Sequence, residues 1–315
     1  MRPHQLRALI ATAEHGSIRA AARSVYLSQA ALTKAIKELE EDMGTALIVR
    51  TTHGVQLTES GKALYAHSLA IVAEMRGARE DIERLKGASS GMVTAAVSPV
   101  SSVTLLPAAY RAFRRRMPDT RVDFQEANLL HSIPRLREGA IDFVIAGGST
   151  SDPRDEFATI ELFTDQLVLG CRRGHPCEHA QSIADLEGVD WILYSASPQF
   201  TDAWDDTLAE QGVAVPRRVV RCASLTPIMT LVTETDAIVA MPSRMLQAAW
   251  IAGPITRLHV KEHLPSLSIT IYTRRTSPLS PAAKVLIECF QDASREYLES
   301  LGEVAPATPP RPVMP

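Results

Sequence analysis

Polar and basic side chains recur on one side of a predicted helix at residues 28–44. Its apolar stripe consists of Leu32, Ile36, Leu39 and Met43. The side chains of the opposite face include Gln29, Thr33, Lys34 and Lys37. Gln can pair with an adenine edge, Lys with guanine or phosphate, and Thr with phosphate or a thymine methyl group. The pattern predicts a helix that contacts DNA, whereas a solvated polar face is the alternative for such a helix taken alone.

The N-terminus of this helix is where contacts with bases and with the DNA backbone are expected. Gln29 and Thr33 lie one turn apart there, which makes them the predicted base readers. Free N–H groups at a helix N-terminus favour a phosphate, so Ser28 is predicted to anchor the DNA backbone as well as to cap the helix.

Short flanking elements are predicted to present this helix. Two helices precede it, at residues 6–13 and 18–26, and Ser17 is placed to cap the second. Residues 47–57 place β-formers around a glycine and predict a hairpin. The predicted hairpin tip consists of Arg50, Thr51, Thr52 and His53. Arg50 is the expected phosphate contact, although a hairpin tip can also be polar for solubility alone.

A long helix is predicted at residues 58–87, with Thr58 as its cap. Its apolar positions alternate steps of four and three residues, which is typical of a coiled-coil seam. The seam positions are Leu64, Ser68, Ile71, Met75, Ala78, Ile82 and Leu85. Because no neighbouring segment offers a partner helix, we predict that the seam pairs with a second copy of the chain. Packing inside one bundle is the alternative.

Beyond residues 87–91, predicted strands alternate with predicted helices. The strands are 92–98, 121–126, 141–146, 167–171, 191–194, 219–222, 237–240 and 267–272, and the first two helices are 103–117 and 129–139. This alternation implies parallel sheets covered by helices. Chain crossings near residues 161–165 and 262–266 predict two α/β lobes joined by a two-stranded hinge.

Ligands of open parallel sheets bind beyond the carboxyl ends of the strands. The residues predicted there are Ser98, Val100, Ser101, Ser102, Asn128, Ala146, Gly147 and Ser149 in the first lobe, and Ser195, Ser197, Phe200 and Ser224 in the second. Several hydroxyl and N–H groups without a carboxylate among them suit an anion such as a carboxylate or a sulfonate. Each Ser could equally serve only as a helix cap.

Composition and charge indicate an ordinary folded protein. The 315 residues are 45% hydrophobic and 22% charged, and the length allows two or three domains. Residues 1–87 carry 12 Lys and Arg against 10 Asp and Glu, so positive charge leans towards the start of a chain whose net charge is -3. We see no secretory signal, membrane span or Cys-x-x-Cys pair, so we expect a cytoplasmic protein with reduced thiols and no membrane partner.

Enzyme chemistry is the first alternative. The sequence has no Walker loop and no His-Glu-x-x-His motif, so we expect neither an enzyme nor a cofactor. The nearest cluster of metal-ligand types is Cys171, His175, Cys177 and His179. Its spacing is irregular and Pro176 is typical of an ordinary loop, so no metal site is predicted.

Residues 6–58 closely resemble the DNA-binding domain of LysR-type transcriptional regulators. The matching segments include Ser17-Ile18-Arg19-Ala20-Ala21-Ala22, Leu27-Ser28-Gln29-Ala30-Ala31-Leu32 and residues 47–58. Arg19 and Ala30 lie within these motifs and are included in the predicted DNA-binding surface. Ala30 departs from the family pattern, which usually has Pro there, but the start of a helix tolerates either residue.

The order of parts resembles this family from Met1 to about Leu301. The resemblance implies an α/β fold overall, with a winged helix-turn-helix at residues 1–58 and a linker helix for dimerisation at 59–87. A two-lobed α/β effector domain of the periplasmic-binding-protein type would follow at 88–301, with lobe I at 88–162 and 267–301 and lobe II at 163–266. Residues 302–315 form a Pro-rich tail that is expected to be disordered.

The resemblance also implies partners. A homotetramer built from linker-helix dimers would bind double-stranded promoter DNA, and a small effector between the lobes would alter contact with RNA polymerase. The C-terminal part is most similar to regulators of toluenesulfonate degradation and to related sensors of aromatic or sugar-derived acids. An exported solute-binding protein, the second alternative, shares the two lobes but would need an export signal and has no use for a helix-turn-helix.

Overall fold

A computed structural model describes residues 1–51, 54–85, 92–127, 129–148, 156–194, 198–213, 216–275 and 279–303. Within these ranges the chain divides into two compact units, before and after residue 88, and residues 137–140 group with the first. Most of the predicted Pro-rich tail lies outside the described residues.

The first unit consists of three short helices, a hairpin and a long helix. These elements are α1 (Pro3–His15), α2 (Ile18–Ser24), α3 (Gln29–Met43), β1 (Ile48–Thr51), β2 (Gly54–Leu57) and α4 (Glu59–Leu85). The strands pair antiparallel, with Ile48 opposite Leu57. The predicted order of helix-turn-helix, wing and long helix is confirmed.

The apolar stripe of α3 forms the centre of this unit, because Leu32, Ile36 and Leu39 are buried against α1 and α2. The prediction that Met43 continues the stripe is wrong, since its side chain is exposed. Met43 is the last helical residue, and Gly44 turns the chain away with φ 69°.

The predicted seam of α4 is used partly inside its own unit. Leu64 and Ile71 pack against a cluster of buried leucines contributed by α1, α3 and the segment before β1. The expectation that no segment offers this helix a partner is therefore wrong for its first half, because α1 lies against it. Further along α4, 52% of Ile82 is exposed. Pairing of the second half of α4 with another copy of the chain stays a prediction.

The second unit alternates strands and helices. Its first part contains β3 (Met92–Val97), α5 (Pro99–Thr104), α6 (Leu106–Arg116), β4 (Arg121–Glu126), α7 (Leu129–Arg137), β5 (Phe143–Gly148) and β6 (Phe157–Arg172). The rest contains β7 (Trp191–Tyr194), α8 (Pro198–Glu210), β8 (Val219–Cys222), α9 (Leu225–Glu234), β9 (Ile238–Pro242), α10 (Ala249–Ala252), β10 (Ile255–Leu258), β11 (Ser266–Arg274) and α11 (Pro281–Ser300).

The strands form one continuous sheet in the order β4-β3-β5-β11-β6-β9-β7-β8, with β10 paired to β6. We call the β4-β3-β5 end lobe I and the β9-β7-β8 end lobe II; each end is a parallel triple. Parallel pairing is thus found in both lobes as predicted, whereas the two strands between them, β11 and β6, run antiparallel to each other and to their outer neighbours.

Strand β6 is much longer than predicted, with 16 residues instead of the five at 167–171. It runs through both lobes, so Phe163 contributes to a core cluster that contains residues of lobe I and lobe II, and Leu169 contributes to a second cluster within lobe II. Strand β11 accompanies it, with Ser266 opposite Gln166. The predicted crossing residues 161–165 lie within β6, and these two strands form the connection between the lobes.

The helix predicted at residues 103–117 is two helices. Ser98 starts α5 earlier than expected, with Pro99 in its first turn, and the chain bends at Leu105, whose φ is -108°. Pro107 explains the break, because proline has no N–H for the helical hydrogen bond and is tolerated only in a first turn. Pro107 accordingly lies in the first turn of α6.

Candidate DNA-binding surface and effector cleft

Helix α3 begins at a well-defined cap. Ser28 has an extended backbone, and its hydroxyl oxygen accepts a hydrogen bond from the Ala31 N–H at 3.1 Å. This satisfies one of the N–H groups that a helix start leaves without a partner. The predicted cap is confirmed, and the start of α3 is exposed at Gln29 and Ala30.

The predicted DNA-contacting face of α3 is open. Lys34 and Lys37 are exposed, and each lies within ion-pair distance of a glutamate one turn on, at 3.8 Å from Glu38 and 3.7 Å from Glu41. Exposed pairs of this kind contribute little to stability, so a phosphate can compete for the lysines. Thr33 is half-buried beside them.

The turn before α3 carries Tyr26, which the sequence analysis placed at the end of the second predicted helix, whereas α2 ends at Ser24. Tyr26 has φ 56°, and it alone among the described non-glycine residues has a positive φ. Its side chain is 96% exposed. Tyr26 lies two residues before the Ser28 cap, so this exposed side chain is adjacent in sequence to the start of α3. Arg19 in α2 is exposed as well.

The hairpin is fixed to the helices by hydrogen bonds from two sides. A carboxylate oxygen of Glu40 in α3 accepts from the N–H groups of Leu47 at 2.8 Å and Ile48 at 3.1 Å. On the other strand, the Val55 N–H donates to the Gly16 carbonyl at 2.8 Å. Arg50 and Thr51 lie in β1, where only their backbone is described, and Thr52 and His53 lie outside the described residues.

A cavity of about 60 Å³ lies in the second unit, between lobe I and lobe II. Its lining comes from the carboxyl end of β3, the start of α5 and the ends of β5 and β7, together with β9, β11 and the start of α9. Most of the lining is apolar, as at Leu129, Ile228, Met241, Met245 and Leu267. The cavity is therefore at the place predicted for a ligand, but it is less polar than the many predicted serines suggested.

Four of the predicted ligand residues line this cavity: Ser98, Val100, Ala146 and Gly147. Ser98 lies at the N-cap of α5, and its hydroxyl donates to the Ser101 hydroxyl at 2.9 Å and accepts from the Ser101 N–H at 3.4 Å. Ser98 therefore caps a helix and lines the cavity, and its contact with a ligand stays a prediction.

The other predicted ligand residues are not brought together by the described structure. Ser101 is buried behind Ser98, and neither it nor Ser102 nor Ser224 lines the cavity. Ser224 precedes α9 and makes no side-chain capping bond. Phe200 lies in α8, where only its backbone is described. Asn128, Ser149, Ser195 and Ser197 lie outside the described residues.

Two residues that the sequence analysis missed join the lobes at this cavity. Tyr194, the last residue of β7, donates its hydroxyl to the Ala127 carbonyl at 2.7 Å and lies 3.3 Å from a Glu126 carboxylate oxygen. The Leu225 N–H at the start of α9 donates to the same carboxylate, at 3.0 and 3.3 Å from its two oxygens. Glu126 belongs to lobe I and its partners to lobe II.

Partial desolvation and charge act on both groups; Glu126 as a whole is an exposed residue, and Tyr194 is half-buried. Desolvation raises the pKa of the Glu126 carboxyl above its ordinary value, and the hydrogen bonds from Leu225 and Tyr194 oppose that rise. Burial also raises the pKa of the Tyr194 hydroxyl, with the Glu126 charge adding to the effect. Glu126 is the last residue of β4, two residues before Asn128, and this position at a strand end is the sequence signal that could have found it.

The Cys and His cluster shows no metal-site geometry. His175 uses both ring nitrogens, because Nδ1 accepts from the Cys177 N–H at 2.9 Å and Nε2 lies 3.1 Å from the Asp236 carbonyl. Cys171 is buried in the lobe II core. Over the described ranges, no three His, Cys, Asp or Glu side chains are arranged to hold a metal ion.

Among the described residues, no helix combines the length and the apolar character needed to cross a membrane.

Two family models match the chain, and together they cover most of it. Residues 3–62 match "Bacterial regulatory helix-turn-helix protein, lysR family", and residues 86–295 match "LysR substrate binding domain". The first includes α3 and the hairpin, and the second includes the cavity between the lobes.

Curated relatives are similar along nearly the whole chain. The regulator GalR of Pseudomonas putida is 27% identical over 293 residues, which is 93% of this chain and 74% of GalR. The regulator TdcA of Escherichia coli is 25% identical, covering 89% of each chain. The "SDS degradation transcriptional activation protein" of a Pseudomonas species is 27% identical, covering 90% of this chain and 93% of the relative.

Solved structures share the fold. The LysR family regulator CbnR matches with a TM-score of 0.64 at 22% identity, over 93% of this chain and 99% of CbnR. CbnR in complex with its target DNA matches with a TM-score of 0.51 at 23% identity, over 93% of this chain and 100% of that one. The family and relatives are transcriptional regulators and not enzymes, which confirms that expectation. The chain therefore belongs to the LysR family of DNA-binding transcriptional regulators, with an N-terminal helix-turn-helix and a C-terminal effector-binding domain.

Proposed function

We propose that a small acid with an apolar body, bound between lobe I and lobe II, controls DNA binding by this regulator. The observation that carries the proposal is the apolar cavity at the carboxyl ends of β3, β5 and β7, with the Ser98 hydroxyl in its wall. Apolar walls with a few fixed polar groups are typical of small-molecule sites. In this proposal the DNA-binding part is residues 1–58, the linker 59–87 and the effector domain 88–301.

The chemistry of the lining favours an aromatic or alkyl acid over a sugar acid. Leu167, Val239 and Ile269 have no hydrogen-bonding side chain to offer the hydroxyl groups of a sugar. Burying the hydroxyl groups of a sugar without hydrogen-bond partners costs free energy. One relative is named for the degradation of SDS, an alkyl sulfate with an apolar chain and an anionic head. An effector of that general kind suits this cavity.

The effector must enlarge the site. A cavity of about 60 Å³ is smaller than the cavity of about 150 Å³ that can hold benzene. Met241 and Met245 line it, and methionine adapts to irregular shapes because its side chain is unbranched and flexible. Binding therefore requires movement of these side chains, of the lobes, or of both.

On the DNA, Gln29 and Thr33 read bases in the major groove, while Ser28, Lys34, Lys37 and the hairpin residue Arg50 hold phosphates. The partners are promoter DNA and a second copy of the chain, joined along the second half of α4, where Ile82 is exposed. Two dimers form a tetramer that acts in the cytoplasm. The effector shifts this assembly between two shapes with different contacts to DNA and RNA polymerase.

The test combines a ligand screen with DNA binding. Purified full-length protein is screened by thermal shift against aromatic, alkyl and sugar acids, and each hit is then added to a fluorescence-anisotropy titration of the DNA upstream of its own gene. We expect an aromatic or alkyl acid to raise the melting temperature and to change the DNA affinity. The proposal fails if no acid does both, or if the protein binds its own upstream DNA no better than random duplex.

A further inference from the structure

We propose that Glu126 and Tyr194 set the effector affinity of the cleft by holding lobe I and lobe II together across the cavity. This inference rests on the proposed function in one respect, namely that the effector binds between the lobes. Three contacts hold the lobes together: the Tyr194 hydroxyl with the Glu126 carboxylate, the same hydroxyl with the Ala127 carbonyl, and the Leu225 N–H with the Glu126 carboxylate. We call these three contacts the cross-cleft tie.

The cross-cleft tie lies directly at the cavity. Tyr194, Ala127 and Leu225 all line it, and Glu126 joins them by its carboxylate. The three contacts link the end of β4 to the end of β7 and to the start of α9. Parting the lobes at this point breaks hydrogen bonds of both residues at once.

The charge of Glu126 strengthens the tie. Hydrogen bonds with an ionised acceptor are stronger than neutral ones, and a carboxylate at the start of a helix also interacts favourably with the helix dipole. Leu225 is the first residue of α9, a helix of 10 residues. Tyr194 has a second partner in the Ala127 carbonyl, at the shorter distance of 2.7 Å. The tyrosine therefore stays attached to lobe I even where the bond to Glu126 is weak.

The size of the cavity gives the direction of the effect. A cleft of about 60 Å³ is less than half the size of the cavity of about 150 Å³ that can hold benzene, and the tie holds the walls in that arrangement. An effector larger than this must spend part of its binding energy on opening the tie. Glu126 and Tyr194 are therefore positioning residues that oppose binding, and their removal makes the cleft bind more tightly.

The first readout needs no effector. Hydrogen–deuterium exchange of the Leu225 amide is measured by overlapping peptides in the full-length protein, in the wild type and in Glu126→Ala and Glu126→Gln. The amide should exchange about tenfold faster in Glu126→Ala, with Glu126→Gln between the two, because Gln still offers an oxygen acceptor. Asp123→Asn is the matched control, since Asp123 lies on the same strand and its carboxylate bonds to Gln125 within lobe I. If the Leu225 amide exchanges at the same rate in the wild type and in Glu126→Ala, the proposal that Glu126 holds the lobes together is wrong.

The second readout uses 1-anilinonaphthalene-8-sulfonate, an aromatic sulfonate whose fluorescence reports binding. Its affinity should rise about tenfold in Glu126→Ala and in Tyr194→Phe, which removes only the hydroxyl, and stay unchanged in Asp123→Asn. Far-ultraviolet circular dichroism must remain that of the wild type, and peptides from α9 and β9 must gain protection with the probe. Unchanged or weaker binding in both variants overturns the proposal.

The proposed effector class and the cross-cleft tie can be tested independently, because different results contradict each of them. If no acid changes DNA affinity while Leu225 exchange and probe affinity behave as expected, the tie stands and the proposed effector class falls. Should Glu126→Ala fail to fold, Glu126→Gln and Tyr194→Phe decide the result, because both keep the size of the side chain.

Discussion

The hydroxyl oxygens of Ser98 and Ser101 lie 2.9 Å apart at the start of α5, yet only Ser98 lines the cavity between the lobes. Because only one of these two hydrogen-bonded serines lines the cavity, substitutions at the two positions can distinguish helix capping from contact with a ligand. Ser98→Ala removes the cap and should cost about 1 kcal/mol of stability. It should also change the effector concentration needed for half-maximal change in DNA binding, while DNA binding without effector persists.

Ser101→Ala is the matched comparison for Ser98→Ala. It removes the acceptor of the Ser98 hydroxyl but leaves the cavity wall intact. Thermal melts and effector titrations of both variants give the answer. If the two variants lose stability and respond to effector alike, Ser98 serves only as a cap.

Gln29 and Thr33 are predicted to determine sequence preference. The Gln29→Ala and Thr33→Ala variants should each lose about 1–3 kcal/mol of discrimination between the operator and single-base variants, because a good base contact is lost. Anisotropy titrations against a set of singly substituted operators measure this. Far-ultraviolet circular dichroism provides the folding control. Selectivity equal to the wild type in both variants would refute the base-reading role.

Lys34 and Arg50 are predicted to hold phosphates. Replacing either with Ala should weaken binding to all sequences alike and reduce the slope of log affinity against log salt concentration by about 1. The control is Lys62→Ala, since Lys62 is also an exposed lysine with a glutamate partner but lies at the start of α4, outside the predicted DNA-contacting face. A change confined to particular sequences, with an unchanged salt slope, would contradict the phosphate role.

Local sequence patterns predicted helix α3 well, because capping and amphipathic spacing are determined within a few residues. Ser28, Leu32 and Leu39 behave as their spacing indicated. Partnerships between distant segments could not be found in this way. Leu64 of α4 packs against leucines from α1, a contact that depends on how the unit folds back on itself.

The cleft shows the same limit. Strand-end reasoning located the cavity and four lining residues, including Gly147. It missed Glu126, because the significance of this carboxylate comes from Leu225, which lies 99 residues away and belongs to the other lobe. The break between α5 and α6 was predictable from Pro107, whose missing N–H outweighs the helical pattern around it.

Gly61 lies so close to the backbone of Leu47 that an added Cβ would collide with the Leu47 carbonyl. Gly61→Ala should therefore destabilise the first unit by about 1–3 kcal/mol, as overpacking does. The three tryptophans, at positions 191, 204 and 250, all belong to the second unit. Thermal unfolding followed by far-ultraviolet circular dichroism should shift to lower temperature, whereas the tryptophan fluorescence transition should not.

The control for Gly61→Ala is Ser60→Ala, an exposed neighbour on the same helix turn. Its melting curves should match the wild type. Because α4 follows the hairpin directly, Gly61→Ala should also weaken DNA binding. A variant with wild-type melting and wild-type DNA affinity would show that α4 can shift to accept the methyl group at no cost.

Cys171 is predicted to be unreactive in the folded protein. It is buried in the lobe II core, and burial is the largest cause that raises the pKa of its thiol from 9.0 to about 11. At pH 8 this lowers the thiolate fraction about a hundredfold, and the thiolate is the reactive form. Iodoacetamide labelling followed by mass spectrometry should modify the half-buried Cys177 first, and labelling of Cys171 should accelerate as the pH rises towards 11. Denatured protein, in which all four cysteines are modified, provides the control. If native Cys171 is labelled as fast as Cys177, the prediction is wrong and the lobe II core around Cys171 opens readily.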